Sequence, residues 1–160
     1  MLNMTLICVG KMREKHYIAA FQEYEKRLGA FCRFQVVELP EQRLPERPSQ
    51  KEIDAALEKE AENILAHVPK GAACIAMCVE GKAMSSEALA QQFLNWQNAG
   101  VSRLCFVVGG SFGLHRSVKQ AAQLKLSMSA MTFPHHLARV MLMEQIYRAS
   151  TINAGIQYHK

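Results

Sequence analysis

VVGGSFGL at residues 107–114 and LSMSAMTFPHH at residues 126–136 are the two stretches that decide the fold. In the first stretch, an apolar β-branched run stops at two adjacent glycines. That pattern is typical of a buried strand that ends in a tight loop, where the backbone can approach a ligand closely. The second stretch alternates small polar with apolar residues and ends at a proline. Because α/β proteins bind small molecules at such loops, we predict that the two stretches follow neighbouring strands and form two sides of one pocket.

Apolar runs that predict strands alternate along the chain with segments of helical periodicity. The predicted strands cover residues 4–9, 34–39, 72–79, 103–108 and 125–129. The predicted helices cover residues 15–28, 49–65, 87–98, 114–124 and 134–153. Ser49 and Glu52 form a capping box at the start of the second helix, and Glu80-Gly81-Lys82 is expected to be a loop beside the pocket. This order predicts an α/β fold with a mostly parallel sheet flanked by helices.

Length and composition suit one domain that spans residues 1–160, with 49% hydrophobic content and no linker-like change of composition. No apolar run approaches the roughly 18–20 residues needed to cross a bilayer, and the N-terminal residues lack the features of a signal peptide. Five cysteines scattered through apolar runs indicate reduced thiols in the core. We therefore expect a cytoplasmic protein with no membrane partner.

The charge balance limits the kind of nucleic-acid binding that the chain can support. Its net charge is +5 and its pI is about 9.0, but the basic residues are dispersed and form no tract. Because each phosphate that a protein neutralises adds to its affinity, this small excess predicts weak, salt-sensitive binding to naked nucleic acid.

The three glycines of the first stretch, Gly109, Gly110 and Gly113, invite a phosphate-binding interpretation. Their spacing is GGxxG, however, and neither a dinucleotide fingerprint nor a Walker lysine accompanies them. A simple turn from strand to helix therefore remains open. Cys74, Cys78 and the six histidines show no metal-ligand spacing, so we predict structural thiols and no metal site.

The last predicted helix and the tail carry the remaining candidates. Arg139, Glu144 and Arg148 lie on this helix, where the last two are four residues apart and can pair. The alternative is that these three residues simply form a solvent-exposed face of the helix. The terminal residues 157–160 are either disordered or folded onto a site. Apolar side chains on more than one side of the helix favour a homodimer, and these are Met141, Met143 and Ile146.

Three stretches together resemble one known family: VVGGSFGL, then LSMSAMTFPHHLARVMLMEQIYRA at residues 126–149, and the terminal YHK. They are similar to the SPOUT-class methyltransferases that methylate N3 of a pseudouridine in 23S ribosomal RNA. The likeness runs from the MTLICVGK opening to the tail. It implies a deep trefoil knot at the C-terminal part of the sheet, a pocket for S-adenosyl-L-methionine in that knot, no metal, and a homodimer that acts on the ribosome.

The resemblance also implies which residues touch the cofactor, which leaves as S-adenosyl-L-homocysteine. They lie before the Glu-Gly-Lys sequence, at the second glycine of the pair and in the loop before the last helix. Without a Cβ, Gly110 would leave room for the bound molecule. The tail departs from the family, because Gln157 stands where a proline is common. The cofactor residues implied are Met77, Gly110, Ser129, Ala130, Met131, Thr132, Phe133 and Pro134.

The candidate catalytic residues are Arg139, Arg148, Tyr158 and His159. The arginines, which stay charged, are expected to bind RNA phosphate or to stabilise the developing imide anion. Tyr158 and His159 are expected near the target base, with His159 as the better proton acceptor because an ordinary histidine titrates near neutrality. We expect the chain to recognise an assembled ribosomal surface. The alternative is a non-catalytic ribosome-binding or assembly factor that keeps the cofactor pocket; a nucleotide-binding oxidoreductase would need a fingerprint that the chain lacks.

Overall fold

The computed structural model describes residues 1–160 and contains the alternation of strands and helices that the sequence predicts. The first two strands begin two residues earlier than predicted, the third ends four residues later, and the fourth helix is shorter. In chain order the elements are β1 (Leu2–Val9), α1 (Lys15–Leu28), β2 (Cys32–Leu39), α2 (Gln50–His67), β3 (Ala73–Ala83), α3 (Ser86–Asn98), β4 (Arg103–Val108), α4 (Arg116–Ala121), β5 (Leu124–Ser127) and α5 (His135–Asn153).

All five strands lie parallel in one sheet, in the order β2-β1-β4-β3-β5. The α/β fold with a parallel sheet flanked by helices is therefore confirmed. β4 takes the centre because both of its faces are apolar: Leu104 and Phe106 pack on one side of the sheet, and Cys105 and Val107 pack on the other.

Two layers of helices cover the sheet. α5 packs against α1 and α3 on one face, and α2 contacts α4 on the other. The larger core contains Leu28 of α1, Phe93 of α3 and Leu142 of α5. The smaller core contains Ile64 of α2 and Val118 of α4. The capping box of Ser49 and Glu52 begins α2 as predicted. None of the helices has the length and apolar character that crossing a membrane requires.

The Glu-Gly-Lys sequence is part of a strand and not the loop that its composition predicts. β3 continues to Ala83, and its pairing with β5 jumps in register so that Leu126 pairs with both Met77 and Lys82. The residues between them, 78–81, form a bulge that leaves the ladder. Gly81 is required where the strand returns, because a Cβ there would lie 2.8 Å from the carbonyl carbon and oxygen of Lys125.

The prediction that the two pocket-forming loops follow neighbouring strands is wrong, because β3 lies between β4 and β5. Periodicity identifies strands but does not order them within a sheet. The loops still meet, since the carboxyl ends of parallel strands lie at one edge of the sheet and β5 joins the outer part of β3.

Arg139 lies in the second turn of α5 and is 1% exposed. Its Nη2 donates hydrogen bonds to the carbonyl oxygens of Val9, at 2.6 Å, and Gly10, at 2.8 Å. Its Nη1 lies 3.5 Å from a carboxylate oxygen of Glu38. Because these donors serve the end of β1, the position does not suit the contact with RNA or with the target base that the sequence predicts for Arg139.

Replacing Arg139 by Met should lower the free energy of unfolding by about 1–3 kcal/mol, because buried carbonyl groups lose their donors. Equilibrium unfolding in urea measures this loss. Arg27→Met is the matched control, since Arg27 pairs with Glu23 on the exposed side of α1 and its loss should change little. Equal losses in the two variants would contradict the role given to Arg139.

Candidate functional site

A cavity of about 300 Å³ opens at the carboxyl ends of β3, β4 and β5. Its volume lies at the lower end of the range for small-molecule sites, about 300–1,000 Å³. The loop after β4 and the segment after β5 both line it, as the sequence predicts for the two sides of one pocket. Much of the wall is apolar, including Met77, Phe112, Leu114, Met128, Met131 and Phe133.

The segment between β5 and α5 is shaped by short-range hydrogen bonds of its own serines. Ser127 donates from Oγ to the carbonyl of Ser129 at 3.1 Å, and the Oγ of Ser129 accepts from the backbone N–H of Met131 at 3.0 Å. Of the residues that the resemblance assigns to the cofactor, Ala130 and Pro134 do not line the cavity. Those that do are Met77, Gly110, Ser129, Met131, Thr132 and Phe133.

Several residues that the sequence left unassigned also line the cavity. Cys78, expected to be a core thiol, faces it because the bulge of β3 turns this residue out of the sheet. His135 lines it from the first turn of α5, where burial, together with the nearby His136 and Arg139, lowers the pKa of His135 and keeps the ring neutral at pH 7. Glu80 and Lys119 line it as an ion pair. No local motif identifies these residues.

The glycine loop, residues 109–113, folds back on itself. Gly110 and Gly113 pair across the loop in a single antiparallel bridge, and Gly113 adopts a left-handed conformation with φ of 79°. A Cβ on Gly109 would overlap the carbonyl oxygen of Gly113. Gly109 and Gly113 therefore let two backbone segments approach closely. Of the two interpretations that the sequence left open, this geometry favours a tight turn from strand to helix, and the turn also forms a wall of the pocket.

Gly110 makes room for a protein side chain, and not only for a ligand. A Cβ at this position would lie 2.6 Å from Oε1 of Glu41, which lies in the connection between β2 and α2. The same oxygen accepts a hydrogen bond from the backbone N–H of Ser111 at 3.0 Å. A Cβ here would meet the carboxylate of Glu41 first, and the expectation that Gly110 leaves room for a bound molecule stays a prediction. No sequence pattern identifies Glu41, because only the tertiary structure brings it next to Gly110.

The tail cluster consists of Glu87, Glu144, Arg148, Tyr158 and His159. Glu144 accepts hydrogen bonds from Arg148, at 2.9 and 2.6 Å, and from the hydroxyl of Tyr158 at 3.2 Å. Arg148 Nη1 lies 3.2 Å from Nδ1 of His159, and its guanidinium stacks on the ring of Tyr158 at 4.8 Å. His159 Nε2 lies 2.6 Å from Glu87 at the start of α3. The tail is thus folded onto its own subunit.

These contacts define the protonation state of the cluster. Because the guanidinium of Arg148 has only donors, Nδ1 of His159 accepts a hydrogen bond from it. Nε2 of His159 therefore carries the hydrogen and donates a hydrogen bond to Glu87. A hydrogen bond from its own backbone N–H and one from His159 hold the pKa of Glu87 below its usual range. Burial and the neighbouring Glu144 raise the pKa of Tyr158 to about 12, so the phenol stays neutral. None of the five residues lines the cavity. Arg139, the fourth predicted catalytic residue, lies apart from them at the end of β1.

No group of three or more His, Cys, Asp or Glu side chains is arranged to hold a metal ion.

Gly109→Ala and Gly110→Ala should differ in their effect on stability. A Cβ at position 109 would meet the backbone of Gly113, which cannot move aside, and we expect a loss of about 1–3 kcal/mol or more. A Cβ at position 110 meets the flexible end of Glu41, so the loss should be smaller. Chemical denaturation measures both.

Glu41→Ala combined with Gly110→Ala is the matched test, because it should recover most of the stability that Gly110→Ala loses. Failure of this recovery, or equal losses in the two single variants, would contradict the packing described.

Comparison with known proteins assigns the chain to a family. Residues 2–159 match the family model described as "Predicted SPOUT methyltransferase". The fold is similar to that of a probable methylase family protein from Haemophilus influenzae Rd KW20, with a TM-score of 0.59 and 12% identity over 99% of this chain and 71% of that chain. It is also similar to a putative methylase family protein from Neisseria gonorrhoeae, with a TM-score of 0.50 and 13% identity over 91% of this chain and 82% of that chain. The chain therefore belongs to the SPOUT methyltransferase family.

Proposed function

We propose that the protein transfers a methyl group from S-adenosyl-L-methionine to N3 of a pseudouridine in 23S rRNA, acting in the cytoplasm on the assembled ribosome. One observation carries the proposal. The two loops whose sequences resemble those of the pseudouridine N3-methyltransferases come together around one cavity, in a chain that belongs to the SPOUT methyltransferases.

The cavity fits the adenosyl part of this cofactor. Apolar side chains such as Met77 and Met131 offer faces for an adenine ring, and the backbone of the glycine loop offers N–H and C=O groups to its edges. The cofactor supplies a methyl group that its sulfonium already activates. The work of the protein is to orient the acceptor nitrogen and to promote loss of its proton.

His159 is the proposed proton acceptor, and Tyr158 is a hydrogen-bond donor. With its pKa raised to about 12, Tyr158 stays protonated at neutral pH and cannot take the proton. His159 has a lone pair on Nδ1, but this lone pair accepts from Arg148 in the tail cluster. RNA binding must therefore separate the two side chains, which frees Nδ1 as base and leaves the guanidinium of Arg148 to stabilise the imide anion.

The proposal includes a homodimer whose active sites combine two subunits. The tail cluster does not line the cavity of its own chain, so a complete site needs another tail. Exposed apolar side chains surround the mouth of the cavity, namely Val79, Phe112 and Met131. Covering this rim by the tail and α5 of a second copy would remove apolar surface from water and bring His159 to the cofactor.

A deep trefoil knot is also part of the proposal. The short connection from Ser127, at the edge strand β5, to Arg139, at the end of β1, crosses the carboxyl ends of β3 and β4. Residues of the bulge of β3 and of the glycine loop line the same cavity as residues of this connection. That course supports a threaded chain, which is otherwise rare in proteins.

Labelled S-adenosyl-L-methionine tests the proposal directly. The protein is incubated with ribosomes from a strain that lacks its gene, and the 23S rRNA is digested and analysed by mass spectrometry. We expect label on N3 of a pseudouridine, and far less on short naked RNA because of the modest net charge of +5. Tight cofactor binding with no label on ribosomes or separate subunits would overturn the proposal in favour of a non-catalytic assembly factor.

His159→Ala should reduce single-turnover methylation about 10²–10⁴-fold, the usual contribution of a general base. His67→Ala is the matched control, since His67 is an exposed residue near the end of α2 and should keep full activity. Single-turnover kinetics on ribosomes separates the chemical step from product release. An unchanged rate in His159→Ala would remove His159 from the mechanism.

A further inference from the structure

Only two of the side chains lining the cavity carry a charge at neutral pH, and they pair with each other. Glu80 comes from the bulge of β3, and Lys119 comes from α4. His135 also lines the cavity, but burial lowers its pKa and keeps it uncharged. An otherwise apolar wall thus ends in one anion and one cation side by side.

The course of the backbone, and not burial, holds this pair at the rim. The bulge turns residues 78–81 away from β5, so Glu80 projects beside the opening while Gly81 returns the strand to the ladder. The side chain of Glu80 is 59% exposed and that of Lys119 is 26% exposed. An ion pair this exposed contributes little to stability, so its members are free to exchange partners.

Both charged side chains at the rim are ionised at neutral pH, so each can bind a group of opposite charge on a ligand. The hydrogen bond from Lys119 holds the pKa of Glu80 below its usual range, and the nearby Lys125 acts in the same direction. The rim therefore contains one ammonium group, that of Lys119, and one ionised carboxylate, that of Glu80. A ligand that offers one carboxylate and one ammonium group can satisfy this set without leaving any charge unpaired.

We propose that Lys119 and Glu80 recognise the amino-acid end of the S-adenosyl ligand, with Lys119 binding its α-carboxylate and Glu80 its α-ammonium group. The assignment rests on the proposed function, which places such a ligand in the cavity. The adenosyl part takes the apolar wall, and the zwitterionic end replaces the contact between the two side chains. Binding exchanges one exposed ion pair for two, and the charge-assisted hydrogen bonds are directional.

Ligand fragments separate this assignment from a general effect on the pocket. S-adenosyl-L-methionine carries both charged groups of the amino-acid end, its decarboxylated form keeps only the ammonium group, and 5′-methylthioadenosine lacks both. Isothermal titration calorimetry gives the affinity of each for the wild-type protein and for Lys119→Met and Glu80→Gln. Lys125→Met is the matched control, because Lys125 is near Glu80 but does not line the cavity.

Lys119→Met should weaken S-adenosyl-L-methionine about tenfold, as expected for loss of a charged hydrogen bond, and should leave 5′-methylthioadenosine unchanged. Glu80→Gln should weaken the decarboxylated form by a similar factor and leave 5′-methylthioadenosine unchanged. The control should bind all three ligands like the wild type. Thermal melting should be nearly the same for all variants, since an ion pair at the protein surface contributes little to stability.

Two results would overturn the assignment while the proposed function survives. One is wild-type affinity of Lys119→Met for S-adenosyl-L-methionine, and the other is an equal loss for 5′-methylthioadenosine, which would mean that Lys119 acts through pocket shape. A wild-type protein that binds none of the three ligands would instead overturn the proposed function, and the assignment with it.

Discussion

The guanidinium of Arg139 on the carbonyl oxygens of Val9 and Gly10 is the interaction on which the site depends. It fixes the first turns of α5 at the end of β1, although the strand that precedes this helix is β5 at the edge of the sheet. The chain must therefore cross the ends of β3 and β4, and most of the residues between Met128 and His135 line the cavity. A buried charge is costly without partners, and two backbone carbonyls and Glu38 partner its Nη atoms, while Nε has no hydrogen-bond partner.

Close backbone approach is the second constraint, and glycine meets it at three points. Gly81 lets β3 rejoin β5 after the bulge, Gly109 lets the loop after β4 fold onto Gly113, and Gly110 admits the carboxylate of Glu41. In each case the atom that a Cβ would strike belongs to the protein. The glycines therefore shape the walls of the cavity before any ligand arrives, and a preformed wall reduces the ordering that binding would otherwise require.

Charge is used in two different ways around the site. In the tail cluster, Glu87 and Glu144 bind the donors of His159, Arg148 and Tyr158 and hold the terminal residues on their own subunit. At the rim of the cavity, the exposed Glu80 and the partly exposed Lys119 face a space that a ligand can enter. The first group holds the tail in place and the second lines the cavity, and both lie outside the apolar cores.

The sequence by itself determined the class of fold, the alternation of strands and helices, and the two loops that line the cavity. These features follow from local patterns: apolar runs, helical spacing, the capping box at Ser49 and the glycine pair. The strand order, the bulge that puts Cys78 and Glu80 into the cavity, the burial of Arg139 and the approach of Glu41 to Gly110 were decided only by tertiary structure. Each of these joins residues far apart in the chain, and no local pattern encodes which strands pair or which carbonyl a distant guanidinium meets.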